Sequence, residues 1–146
     1  MADRESHKIE QYKAYLQDLG NIGARHVTAR GFYLSVLSGL LAFLAIAGHD
    51  GSLKDISRPL FVIVGTAGIA ICVLWLIHTR AFRALYKAKF KRIVAMEEEL
   101  PFQNFKAEYQ TMKEDRNYSP LILVECAISI VFTVLFAATI VLNLLA

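Results

Sequence analysis

The basic residues between positions 80 and 92 are the side chains of this sequence with the clearest capacity for chemistry. Arg83, Lys87 and Lys91 recur every four residues, a spacing that places them along one face of an α-helix. Such a surface binds polyanions, because each phosphate that it neutralises releases a condensed counterion. We predict an oligonucleotide or nucleotide site here. Its predicted ligand-binding residues are Arg83, Lys87, Lys89, Lys91 and Arg92.

The same residues also fit a simpler role as a membrane anchor. Lys and Arg accumulate at the cytoplasmic ends of transmembrane helices, near anionic headgroups. Lys89 to Arg92, however, follow the predicted membrane exit by ~15 Å of helix, which exceeds a Debye length at physiological salt. Both interpretations stay open. Tyr86 and Phe90 carry rings on which bases can stack, although their spacing fits core packing better.

A second set of polar side chains lies in the most apolar stretch, residues 121–146. At about 100° per residue, Glu125, Ser129, Thr133 and Asn143 fall on one helix face. They either bond to neighbouring helices or line a water-filled path between copies, where a ring of carboxylates attracts cations. Both alternatives require a partner, because such a stripe does not face lipid. We therefore predict a homo-oligomer, and in the second alternative these four residues line its pore.

Three apolar stretches can position these side chains in a bilayer. The chain has 146 residues, 55% of them hydrophobic, which is too apolar for a soluble core of this size. A span needs about 20 apolar residues. The first thirty residues are mixed polar, so we expect no cleaved signal peptide. The predicted segments are a cytosolic amphipathic helix (1–30), transmembrane helix 1 (31–48), an external loop (49–59), transmembrane helix 2 (60–78), a cytosolic helical domain (79–120) and transmembrane helix 3 (121–146).

The distribution of Lys and Arg predicts the orientation. Five precede the first span, two lie in the first loop, and nine separate the second and third spans. The positive-inside rule then places the N-terminus in the cytoplasm and the C-terminus on the outer side of the membrane. The predicted fold is an all-α membrane protein with three transmembrane helices per chain and a small helical cytosolic domain, assembled as a homo-oligomer.

Several local patterns predict helix packing. Ile9, Tyr12, Leu16 and Leu19 indicate an amphipathic helix that packs on another cytosolic helix or on its own copy. Gly20 and Gly23 indicate either an interruption of this helix or close packing. Small residues four apart, a spacing that lets two membrane helices approach closely, occur at Ser35, Ser38, Gly39 and Ala42, and of the two interpretations we expect ordinary packing within the chain. Glu97, Glu98 and Glu99 either pair with basic residues of another helix or copy, or form a solvated acidic end. We also expect a slim second span at Gly65 and Gly68 and a short return helix with Phe105, Tyr109 and Met112.

Nothing in the sequence predicts catalysis. It contains no nucleophile motif, no phosphate-binding glycine loop and no paired catalytic carboxylates. Cys72 and Cys126 lie inside predicted spans without metal-ligand spacing, and the four His residues are scattered. We expect no enzymatic activity, no cofactor and no metal.

Two blocks carry a family resemblance, LWLIHTRAFRALYKAKFKRIVAMEEELPFQNFKAEY and, before it, YKAYLQDLGNIGARHVTARGFYLSVLSGLLA. They resemble a widespread family of small bacterial integral-membrane proteins associated with anti-phage defence, over nearly the whole chain except the third span. The membrane effectors of the Hailong system, which are paired with a nucleotidyltransferase that makes DNA oligomers, fit best. That resemblance implies an oligomeric channel held closed by DNA in its cytosolic domain. Its distinctive positions are Lys89-Phe90-Lys91, Ile93, Met96-Glu97 and Leu100-Pro101.

Together these features predict an oligomeric membrane effector for abortive-infection defence, an ion channel or pore gated by an oligonucleotide or nucleotide. We considered a tetramer as its assembly. The alternative is a non-channel scaffold or anchor that recruits a soluble cytosolic partner. A carrier is disfavoured because the three spans contain no repeat and no broken helix pair.

Overall fold

The computed structural model describes residues 2–49, 54–101, 103–114 and 121–145. These ranges form four α-helices: α1 (Ala2–His49), α2 (Lys54–Glu97), α3 (Asn104–Glu114) and α4 (Leu121–Leu145). No strand occurs within these ranges. The helices α1, α2 and α4 each contain a stretch long and apolar enough to cross a membrane. The predicted all-α fold with three transmembrane helices is confirmed.

Helices α1 and α2 are longer than any single predicted segment. Gly20 and Gly23 lie within the unbroken α1, and a Cβ atom at either would meet nothing within 4 Å. Neither interruption nor close packing within the chain explains them. Helix α2 begins at Lys54 and contains Pro59, so it includes part of the predicted loop 49–59. It then continues to Glu97, as the absence of Gly and Pro after the second span predicts.

The chain divides into two compact units. We call Met1–Val27 with Ala81–Pro120 the polar unit, and Thr28–Arg80 with Leu121–Ala146 the membrane unit. Each unit has its own apolar core.

The core of the polar unit follows the predicted apolar stripes. Tyr12 and Leu19 of α1 are buried together with Ile93 of α2. Leu100 and Phe105 pack against them, and Phe105, near the start of α3, meets the Phe90 ring edge-on at 5.9 Å between centroids. The N-terminal helix therefore packs on another helix of its own chain, and the short return helix exists as α3.

The core of the membrane unit depends on close approach between α2 and α4. A Cβ atom at Gly65 would lie 2.6 Å from Ile140, and one at Gly68 would lie 2.6 Å from the fully buried Phe136 ring. Both distances are too short for a real contact. The predicted slim face of the second span is thus confirmed, and its partner is α4.

The small residues of α1 behave differently from those of α2. Ser35, Ser38, Gly39 and Ala42 are exposed, and a Cβ at Gly39 would meet nothing within 4 Å. Our expectation that they pack within the chain is wrong. The reason is that α1 turns another face, with Leu37, Leu44 and Ala47, into the core.

Candidate functional site

Glu125 lies inside the membrane unit and has a charged partner. Its side chain is 2% exposed, and one carboxylate oxygen lies 3.7 Å from a guanidinium nitrogen of Arg30. A buried charge is costly unless it is paired, and Arg30, whose side chain is 34% exposed, supplies the partner. The ion pair joins the start of α4 to α1. It makes Arg30 a functional candidate, whereas its sequence position alone predicts only a contribution to the orientation.

Two other residues of the polar stripe form hydrogen bonds within the chain. Ser129 is fully buried, and its hydroxyl donates to the backbone oxygen of Cys72 at 3.1 Å. Thr133 donates to the backbone oxygen of Ser129 at 2.9 Å, and Asn143 is half-buried. In the single chain, bonding between helices therefore accounts for Glu125 and Ser129. Their role as pore-lining residues in an assembly stays a prediction.

The five predicted ligand-binding residues lie on two sides of α2. Arg83 and Arg92 are nine residues apart, which turns the helix by about 180°. Arg83, Lys87 and Lys91 remain together and are exposed. Within the described ranges none of these three has an ion-pair partner. We call these three residues the outer basic face.

Lys89 and Arg92 lie on the side of α2 that approaches α1. The Lys89 ammonium pairs with Asp18 and lies over the Tyr15 ring, 5.4 Å from its centroid. It thus holds α2 against α1 and already has a carboxylate partner. Arg92 is exposed and lines a groove together with Lys8 and Tyr15.

A row of aromatic rings runs beside the outer basic face. Phe82, Tyr86 and Phe90 each precede one of its cations in the sequence, and their consecutive centroids are 5.8 and 6.5 Å apart. His26 extends the row by stacking on Phe82 at 3.7 Å. Phe90 is half-buried against Phe105, which is core packing, whereas Tyr86 is 40% exposed. Tyr86 is therefore the ring that a base can reach.

Glu97 connects three helices of the polar unit. It is fully buried, and its carboxylate accepts hydrogen bonds from the Tyr12 hydroxyl at 2.8 Å and from the backbone N–H groups of Phe105 and Lys106 at 3.0 and 3.1 Å. Those N–H groups belong to the first turn of α3, which lacks intrahelical partners for them. Burial, and then the hydrogen bond and charge of Glu97, raise the pKa of Tyr12 to about 12.

The two following acidic residues form ion pairs at the surface. Glu98 lies 3.6 Å from the Lys106 ammonium, and Glu99 lies 2.6 Å from that of Lys8. The prediction that these acidic residues pair with basic ones is confirmed for both. The described residues contain no group of three His, Cys, Asp or Glu side chains that could hold a metal ion.

Long apolar helices, an exterior rich in Leu, Ile and Val, and a helical polar unit define the class as α-helical integral membrane proteins. The sequence model of the octameric membrane protein family (8xMP) matches residues 9–145, so the chain belongs to that family. No curated protein and no solved structure matches the chain. The family description confirms the predicted oligomer, but the number it gives is eight rather than the four that we considered.

Proposed function

We propose that this protein is a homo-octameric effector of the bacterial inner membrane, with its N-terminus and polar unit in the cytoplasm and its C-terminus outside. The octamer conducts ions, and a nucleotide or oligonucleotide bound to the outer basic face sets whether it does. The observation that carries this proposal is the outer basic face itself. Its three cations are exposed and lack ion-pair partners in the part of the chain that the structure describes.

The chemistry of that face suits phosphates joined to flat rings. Cations one helical turn apart can neutralise successive phosphates, and the exposed Tyr86 ring can stack on a base. Repetition in every subunit of a ring multiplies the positive potential at its centre, which attracts polyanions and accelerates their binding. A metabolite with one carboxylate would use only a fraction of this surface.

The defence role rests on the family resemblance of the two sequence blocks. Hailong membrane effectors are paired with a nucleotidyltransferase that makes DNA oligomers, and we propose the same kind of ligand and partner here. Abortive infection follows if ligand removal opens the path and dissipates the membrane potential.

Gating requires that the ligand distinguish two states of the octamer. A ligand shifts the equilibrium only by its difference in affinity for the closed and open arrangements, about 1.4 kcal/mol for each tenfold change in population. A strand that bridges the basic faces of adjacent subunits in one arrangement only would supply this difference.

The test is ionic conductance of the purified octamer in planar bilayers, with and without short single-stranded DNA. Arg83→Gln with Lys87→Gln removes two cations of the outer basic face, and Lys13→Gln with Arg25→Gln removes two exposed cations elsewhere. We expect DNA to alter the conductance of the wild type and of the control. The first variant loses this response. The slope of the logarithm of its DNA-binding constant against the logarithm of the salt concentration becomes shallower by about 1.4 for each subunit that the DNA contacts. Absence of DNA binding to both the wild type and the control contradicts the proposal.

A second candidate is a scaffold that does not conduct, and the burial of Glu125 and Ser129 inside their own chain favours it. In a pore lined by α4, Glu125→Gln changes the cation selectivity. In a scaffold the substitution only weakens the pairing with Arg30. Inserted octamers that pass no current with or without DNA would favour the scaffold.

A further inference from the structure

The polar unit contains a groove on the side of α2 opposite the outer basic face. Lys8, Gln11 and Tyr15 of α1 line one wall, and Arg92, Met96 and Glu99 line the other. We propose that this groove binds one nucleoside phosphate, either a free nucleotide or the terminal nucleotide of a strand. The site goes beyond the proposed function, since it uses none of the residues of the outer basic face.

Arg92 is the residue that would hold the phosphate. Its side chain is exposed and has no ion-pair partner among the described residues. A guanidinium group binds a phosphate through two parallel N–H donors, which fixes the orientation of the anion. Lys8 lies across the groove as a second donor, and its side chain is 44% exposed.

The remaining lining residues suit a base. Tyr15 is 37% exposed, and the half-buried Met96 also lines the groove. Flat and polarisable surfaces of this kind stack on aromatic rings. Gln11 is exposed and carries both an amide donor and an acceptor, which can read the polar edge of a base.

The size of the groove limits the ligand. Its volume is about 240 Å³, whereas pockets for drug-sized molecules have roughly 300 to 1,000 Å³. One nucleotide fits such a space with part of its surface left in solvent. A continuous strand does not, and this separates the groove from the outer basic face.

Glu99 opposes the ligand in the unliganded groove. Its carboxylate lies 2.6 Å from the Lys8 ammonium, so an incoming phosphate must compete with it for that cation. Its negative charge also repels the phosphate directly. Removing this charge should therefore strengthen binding, which is a result that a merely structural role of the groove does not predict.

The experiment is titration of adenosine 5′-monophosphate into the full-length octamer in lipid nanodiscs, followed by calorimetry. We expect Arg92→Gln to weaken binding about tenfold or more, the value of one charged hydrogen bond. Glu99→Gln should tighten it several-fold. Arg83→Gln is the matched control, since it makes the same change on the other side of α2 and should leave affinity for the nucleotide unchanged. Unaltered melting temperatures verify that the variants are folded.

Two further ligands identify the chemistry and its source. Inorganic phosphate alone should bind much more weakly than the nucleotide, and Tyr15→Leu should abolish that difference. A 5′-phosphorylated dinucleotide that binds more tightly than the nucleotide assigns the groove to strand ends, and equal affinity assigns it to free nucleotides. Three results overturn the proposal. They are absence of binding by both the mononucleotide and the dinucleotide, equal affinities for inorganic phosphate and the mononucleotide, and an unchanged affinity of Arg92→Gln for the mononucleotide. The conductance response to DNA depends on Arg83 and Lys87, so it can succeed or fail independently.

Discussion

Glu97 shows how one carboxylate can organise several elements. It lies at the last position of α2, accepts a hydrogen bond from Tyr12 of α1, and caps the first turn of α3. A negative charge at a helix C-terminus opposes the dipole of its own helix, whereas the same charge at a helix N-terminus is stabilising. In the polar unit the second effect outweighs the first, because three donors converge on this carboxylate.

We expect Glu97→Gln to destabilise the polar unit and to release α3. The amide keeps the shape of the side chain but loses its charge and one acceptor, which costs roughly 1.5 to 3 kcal/mol for hydrogen bonds to a charged group. Faster hydrogen exchange of the α3 amides would report this loss. Glu98→Gln is the control, because its side chain is 61% exposed and such pairs contribute at most about 1 kcal/mol. Equal exchange in the two variants would refute the capping role.

For single residues, the sequence predicted ion pairing better than it predicted which groups bond to Glu97. The acidic run was expected to pair with basic residues, and Glu98 and Glu99 do so. The capping role of Glu97 was missed, because its donors lie on two other helices and one of them is 85 residues away. The pairing of Arg30 with Glu125 had a usable signal. Both residues lie at the ends of spans that the positive-inside rule places on the same side of the membrane.

Small residues on two helices serve different purposes. Gly65 and Gly68 allow α2 to approach Ile140 and Phe136 of α4. The corresponding face of α1, with Gly39, is open within the chain. Small residues at four-residue spacing favour close helix contacts in membranes, but the spacing is the same whether the partner belongs to the chain or to a second copy. This explains why the sequence could identify both faces and could not assign their partners.

Adding one methyl group should separate these two cases. We expect Gly68→Ala to destabilise the monomer by about 1 to 3 kcal/mol, the usual cost of overpacking, because the new Cβ would overlap the buried Phe136 ring. Gly39→Ala has free space and should leave the monomer at least as stable as the wild type, since Ala is the better helix former. Thermal unfolding in detergent provides the comparison, and Phe136→Leu should partly rescue Gly68→Ala. If Phe136→Leu does not restore any stability to Gly68→Ala, this packing is contradicted.

The distribution of charge along the whole chain predicts one orientation. Lys and Arg are concentrated before the first span and between the second and third, and only two lie in the first loop. In a chain from which Cys72 and Cys126 have been removed, single cysteines introduced at Lys13 or Lys106 should resist a membrane-impermeant thiol reagent in spheroplasts and react in inverted vesicles. A cysteine at Ser52, in the predicted external loop, should give the reverse. Labelling of Lys13→Cys in spheroplasts would exclude the proposed orientation.

For the molecule as a whole, the sequence predicted the class and the need for partners, but not their number. Hydropathy alone sets the count of spans, because a bilayer of about 30 Å demands about 20 apolar residues from each. The polar stripe of α4 predicted a partner helix. Within the chain, Glu125 pairs with Arg30, and Ser129 donates to the backbone oxygen of Cys72. Subunit number depends on the angle between neighbouring copies, to which no short sequence pattern corresponds.

The ion pair between Arg30 and Glu125 bears on how the protein enters the bilayer. An ionised residue raises the cost of inserting a helix, by about 3 kcal/mol at the centre of the helix and by less near its end, where Glu125 lies. Helix α1 is synthesised before α4, so the guanidinium group of Arg30 already exists when Glu125 leaves the ribosome. The third helix can thus insert next to its counter-ion instead of entering lipid as an isolated charge. Biogenesis of this protein should therefore proceed in an order that its charge pair enforces, with the third span retained at the translocon until the first can receive it.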